Sequence, residues 1–144
     1  MMVSTKGRYA LRVMIDMAKH SNGTFIPLSD VATRQNISEK YLESIVASLA
    51  RHGLLTSVRG KGGGYKLNRD INEYTVSDIL KATEGSIAPV ACLSKEINDC
   101  PNVSSCPTLK MWQGLQELIE DYFSKITLEQ LISDSNDCLN IIEN

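Results

Sequence analysis

Two stretches with helical spacing of apolar residues, 28–35 and 38–51, are separated only by Asn36 and Ile37, and this short connection limits the fold more than any other feature. The first stretch would bury Leu28, Val31 and Ala32; the second, with Ser38 as its N-cap, would bury Leu42, Ile45, Val46 and Leu49. Two short helices joined by so tight a turn have the geometry of a helix-turn-helix, although any helical hairpin makes the same pattern. On the second helix Lys40, Glu43, Ser44, Ala47 and Ser48 fall toward solvent, so its exposed face begins small and polar.

The next residues favour nucleic acid over a plain bundle. Residues 54–58 and 65–67 read as paired strands, joined by Arg59, Gly60, Lys61, Gly62, Gly63 and Gly64. Such a tip brings two cations and bare backbone close to a phosphate chain, as a wing does; a flexible surface hairpin is the plainer reading. It is not a dinucleotide fingerprint, because the strand-turn-helix setting and the downstream acidic residue are missing.

Charge divides the chain in the same way. Residues 1–85 hold 12 Lys/Arg and 8 Asp/Glu, whereas residues 86–144 hold 3 and 9. One end suits a polyanion and the other does not. The first end is predicted to be mostly helical around the small hairpin. A helix over 5–19 would bury Ala10, Val13, Met14 and Met17, and one over 75–83 would bury Val76, Ile79 and Leu80. His20 and His52 fall at helix ends, where the dipole favours a partly positive imidazole.

Residues 86–106 show no sustained period, and they contain Cys92, Cys100 and Cys106, three of the four cysteines. Four cysteines are sparse for an extracellular disulfide scaffold, and thiolates so crowded suit iron or zinc. Residues 107–124 then read as an amphipathic helix of about 27 Å. Its apolar face, with Leu109, Trp112, Leu115, Ile119, Tyr122 and Phe123 as the candidate interface, is predicted to cover a symmetry mate in a homodimer rather than its own domain. Thr127 to Gln130 resembles a capping box, which predicts a short last helix over 128–133 and a flexible tail over 134–144. No run of about 18 apolar residues and no secretory apolar core is present, so a cytoplasmic protein outside the membrane is expected.

Together these segments resemble, over nearly the whole chain, the winged helix-turn-helix iron–sulfur regulator family that includes IscR, NsrR and CymR. The likeness is carried by residues 4–11 (Ser4 to Leu11), by Ser38 to Glu43, by the wing from Val58 to Tyr65, by the three cysteines, and by Trp112 with Ile126 to Leu128. It implies a winged helix-turn-helix domain over 1–85, a cysteine-bearing sensor loop over 86–106 and a dimerisation region over 107–133. It implies a dimeric transcription regulator, expected to be a repressor, whose recognition helix enters the major groove of double-stranded DNA while the wing reaches the minor groove. Ser38, Lys40, Tyr41, Glu43 and Ser44 then stand at base edges or the adjacent backbone, and Arg8, Arg51, Arg59, Gly60, Lys61 and Gly62 at phosphates or the minor groove.

The resemblance also implies that Cys92, Cys100 and Cys106 hold an iron–sulfur cluster, 2Fe–2S with 4Fe–4S as the alternative. Two departures leave the fourth ligand unassigned. The first two cysteines are more widely spaced than in the best-known pattern, and Leu109 stands where IscR-like members carry a histidine. Arg8 stands where NsrR-like members supply an aspartate, while Asp99, Cys138, a small thiol or solvent are the candidates that remain. A cluster-free regulator sensing redox through its thiols and a structural zinc protein are the alternatives. Nothing pairs carboxylates or places a histidine for enzymatic chemistry.

Overall fold

A computed structural model describes residues 3–143, with side chains described to residue 136. The element order is α1 (Thr5–Lys19), α2 (Leu28–Gln35), α3 (Glu39–Arg51), β1 (Leu55–Val58), β2 (Gly64–Leu67), α4 (Val76–Glu84), α5 (Leu109–Lys125) and α6 (Leu128–Glu143). The fold is mostly helical with one antiparallel hairpin, Leu55 opposite Leu67 and Val58 opposite Gly64. None of the described helices is long and apolar enough to cross a membrane.

Side-chain caps set the helix starts. The Ser4 hydroxyl accepts from the Gly7 N–H at 3.2 Å, Ser38 accepts from the Tyr41 N–H at 3.2 Å, and Thr75 and Asp78 form a reciprocal capping box. The α2–α3 connection turns through Asn36, whose φ of 53° is left-handed; asparagine tolerates this better than most side chains. Ile37, the other connecting residue, is buried and plugs the corner.

Ala10, Val13, Met14 and Met17 of α1 meet Leu42, Ile45, Val46 and Leu49 of α3 in one core, as the periodicity predicts. Ser48 is a correction. It was expected toward solvent, but it stands one turn after Ile45 and next to it around the helix, is buried, and accepts a hydrogen bond from Lys6 Nζ at 3.2 Å. Two features were not expected at all. The Tyr74 ring is wholly buried, its hydroxyl donating to the Leu54 carbonyl and accepting from the Asn68 N–H, both at 2.9 Å. Leu128, at the start of α6, is also wholly buried in this core.

Backbone hydrogen bonds hold Leu128 there. Its N–H donates to the Tyr74 carbonyl, and the Val76 N–H donates to the Ile126 carbonyl, each at 2.9 Å. The chain beyond the cysteine loop thus returns to the domain that precedes it. The helix it begins runs on to Glu143, well past the 128–133 expected.

Asp16 fixes α2 against α1. Its carboxylate is almost fully buried and accepts from Arg34 Nη2 at 2.7 Å, Arg34 Nε at 3.0 Å and Gln35 Nε2 at 2.9 Å. Burial alone would raise the Asp16 carboxyl, but hydrogen bonds from Arg34 and Gln35, with the guanidinium charge, outweigh it and hold the group below the ordinary value of 3.8. A depressed carboxylate adds stability that is complete above the unfolded value and lost as pH falls through the folded one. Asp16→Asn is expected to cost about 2–4 kcal/mol at neutral pH. Urea unfolding at several pH values checks this, since the gap between variant and native should narrow below the ordinary carboxylate value; a gap independent of pH would contradict it.

Candidate nucleic-acid interface and cysteine loop

The outward face of α3 carries Ser38, Lys40, Glu43 and Ser44, all exposed, while Tyr41 is half-buried. The Tyr41 ring meets the Tyr9 ring edge-on at a centroid distance of 6.0 Å, which anchors the start of α3 to α1. Ser44 Oγ donates to the Tyr41 carbonyl at 2.8 Å, leaving the hydroxyl oxygen free to accept. Arg8 stands exposed near the start of α1, where its Nη2 donates to Thr5 Oγ1 at 3.3 Å, and Arg51 is exposed at the far end of α3.

Glycine is required in the wing for two separate reasons. Gly60 and Gly62 turn with φ of 92° and 76° in open space, which exposes Arg59 and Lys61 at the tip. Gly64 meets a steric limit, because a Cβ there would lie 2.1 Å from the Ile26 carbonyl oxygen. This close approach comes from an antiparallel bridge, in which the Ile26 N–H donates to the Tyr65 carbonyl at 2.8 Å and the Tyr65 N–H donates back at 3.0 Å. The hairpin is thereby tied to the α1–α2 connection. Between wing and α3 runs a groove of about 710 Å³, walled by Glu39, Glu43 and Ala47 on one side and by Val58, Arg59 and Gly60 on the other. Glu39, which was not among the expected site residues, lines this groove one turn before Glu43, and that spacing is its signal in the sequence.

The cysteine loop is anchored at its root and along its length. Ile87 is buried with Val76 and Leu80, and Gln116 Nε2 of α5 donates to the Leu93 carbonyl at 3.4 Å. Cys92 lies in a single helical turn, Ala91–Leu93; the Cys100 N–H donates to Asn98 Oδ1 at 3.0 Å; and Cys106 Sγ lies 3.5 Å from Thr108 Oγ1. All three thiols are free and partly exposed. Hydrogen bonds from the Thr108 hydroxyl and backbone N–H pull the Cys106 thiol below its ordinary value, toward the thiolate that ligates metals.

As donors the three thiols suit a cluster. Their arrangement does not yet form one: among the described residues, no three Cys, His, Asp or Glu side chains gather into a group able to hold a metal. Asp99 is paired with Lys95 instead, Leu109 offers no donor at the start of α5, and the Cys138 side chain lies outside the described residues.

The candidate interface residues of α5 separate onto two faces. Ile119 and Phe123 pack with Val76, Leu80 and Ile87 of the same chain. Leu115 and Tyr122 point away, 39% and 64% exposed, in a stripe with Met111 and Leu118 at 55% and 68%. Trp112 and Leu109 are intermediate.

Comparison with known proteins agrees with this architecture. The family pattern Rrf2, described as iron-dependent transcriptional regulator, matches residues 3–134. The chain is 37% identical over 143 residues to the HTH-type transcriptional regulator IscR of Pectobacterium atrosepticum, covering 99% of this chain and 85% of that one. It is 39% identical over 134 residues to IscR of Xenorhabdus nematophila, covering 93% and 80%. Among solved structures, CymR, the global cysteine regulator of B. subtilis, superposes with a TM-score of 0.71 at 34% identity, covering 92% of this chain and 97% of that one. IscR of T. potens superposes with a TM-score of 0.70 at 32% identity, covering 96% and 90%.

The wing geometry predicts two different effects. Lys61→Ala should weaken binding to all duplexes about equally and lower the salt slope by roughly one, whereas Gly64→Ala should loosen the wing from Ile26 and lower affinity without changing that slope. Titrations across salt concentrations measure both; a changed slope for Gly64→Ala, or none for Lys61→Ala, would contradict the assignment.

Proposed function

Because the chain belongs to the Rrf2 family of iron-dependent transcriptional regulators, we propose that it is a homodimeric, sequence-specific repressor whose DNA affinity responds to an iron–sulfur cluster on Cys92, Cys100 and Cys106. It is a winged helix-turn-helix DNA-binding regulator. The observation that carries the finer reading of DNA contact is the groove between α3 and the wing, with Lys61 and the glycine tip projecting beside it. Ser38, Lys40, Tyr41, Glu43 and Ser44 would meet the major groove, and Arg59, Gly60, Lys61 and Gly62 the neighbouring backbone or minor groove. Arg8 and Arg51 would add phosphate contacts at either end.

Dimerisation is supported by the outward face of α5. Met111, Leu115, Leu118 and Tyr122 recur at spacings of four, three and four, the seam by which one helix packs on another, and no residue of α5 is buried within its own chain. A two-fold pair would present two recognition helices to successive half-sites.

The cluster reading is supported by three free thiols on one anchored loop, by the thiolate tendency of Cys106 and by the resemblance to IscR. When bound, the cluster would supply a redox-active, ligand-labile centre. Loop 86–106 would have to close to bring the sulfurs together, and α5, tied to Leu93 through Gln116, would feel that closure. A second reading, a cluster-free regulator switched by thiol oxidation, is favoured by the ungathered sulfurs and by the likeness to CymR.

Two experiments test these claims. Anaerobically purified chain is expected to be coloured and to contain iron and acid-labile sulfide, with a Cys106→Ser variant losing both. Colourless native protein whose DNA affinity still follows thiol oxidation would establish the second reading. Leu118→Glu is expected to give folded monomers in sedimentation and to lower operator affinity at least tenfold; a dimer that persists would remove α5 as the interface.

A further inference from the structure

Residues 1–85 contain eight carboxylates, and most are committed to the fold. Asp16 holds Arg34 and Gln35, Glu84 accepts from Ser4, Asp78 and the Asp70–Glu73 pair close capping boxes, and the Asp30 charge acts on Arg34. Glu39 and Glu43 differ. Both are exposed on α3, and among the described residues neither joins an ion pair or accepts a hydrogen bond. Four residues apart, they share one wall of the groove that faces Arg59 and Gly60.

Two unpaired negative charges are costly where a polyanion must approach. A glutamate carboxylate can only accept hydrogen bonds; of the two donors in the major groove, adenine N6 stands beside the N7 acceptor, which repels a carboxylate, and the cytosine N4 amine is the better match. Duplexes that offer such donors offset the repulsion from nearby phosphates, and duplexes that do not are rejected. Spacing adds a second constraint. Four residues advance about 6 Å along a helix, close to the roughly 6.8 Å of two base-pair steps.

We propose that Glu39 is a second base-selecting residue, acting with Glu43 as a pair of carboxylate readers one helical turn apart that select cytosines two base-pair steps apart in each half-site. The proposal rests on α3 and the wing being the DNA-contacting face. Glu39 also stands in the first turn of α3, where negative charge favours the helix, so its two roles must be measured separately.

In vitro selection by the full chain from a duplex library with randomised positions tests this, run in parallel for the native protein, Glu39→Gln, Glu43→Gln and Lys61→Ala. The native motif should contain two cytosine-rich columns separated by one position. Glu39→Gln should flatten one and Glu43→Gln the other, each lowering the ratio of selected to random duplex affinity about tenfold, with thermal melting unchanged for Glu43→Gln and lowered by at most a few degrees for Glu39→Gln. Should Glu39→Gln return the native motif while Glu43→Gln alters it, Glu39 serves only the helix start and the proposal is overturned. If Glu39→Gln, Glu43→Gln and Lys61→Ala all bind and select like the native chain, the groove is not the DNA face, and the proposal falls together with the reading beneath it.

Discussion

The Tyr74 ring stands where three parts of the molecule meet. Its hydroxyl bridges the Leu54 carbonyl, just before β1, and the Asn68 N–H, just after β2, so one buried side chain closes the base of the hairpin. Its backbone carbonyl accepts from Leu128, the residue from which α6 departs. Burial pushes the hydroxyl above its ordinary value, which keeps the donor proton in place across the working pH range. A phenylalanine would fill the same space, yet it would leave the buried Leu54 carbonyl without its donor.

Around this centre the two halves of the chain are joined by contacts that cross the cysteine loop. Lys81 of α4 pairs with Glu120 of α5 at 2.7 Å, and Ile119 and Phe123 pack on Val76 and Leu80. At the root of the loop, Glu84 accepts from the Ser4 hydroxyl and N–H, and Lys6, two residues on, reaches Ser48 on the inner side of α3. A Cβ at Gly7 would stand 2.2 Å from Glu84 Oε1, so a side chain there would have to displace this carboxylate. Helix α3 is thus braced from behind by the same turn of α1 that meets the end of α4.

Much of this was legible because local chemistry and tertiary packing agree. Ser38 caps the helix it precedes, and the apolar residues of α1 and α3 keep strict helical spacing through the core. Tyr74 was not legible, since a lone tyrosine before a capping box carries no periodic signal. Ser48 was misplaced because its polarity suggested solvent, whereas its angle around the helix put it beside Tyr41 and Ile45 at the margin of the buried face. In α5 the apolar residues are numerous enough to fill two faces, and period alone does not say that Ile119 turns inward while Leu118 turns outward. The cysteines announce thiol chemistry through their crowding, but residues 86–106 have no period from which to position the sulfurs.

Amide hydrogen exchange of the chain, free and bound to a duplex obtained by selection, reaches the central claim directly. If α3 and the wing form the DNA face on a core braced by Tyr74, binding should slow exchange in residues 38–44 and 59–63. It should leave the outer turns of α6 unchanged. Protection confined to α5 and α6, with residues 38–44 and 59–63 exchanging as in the free chain, would contradict the account.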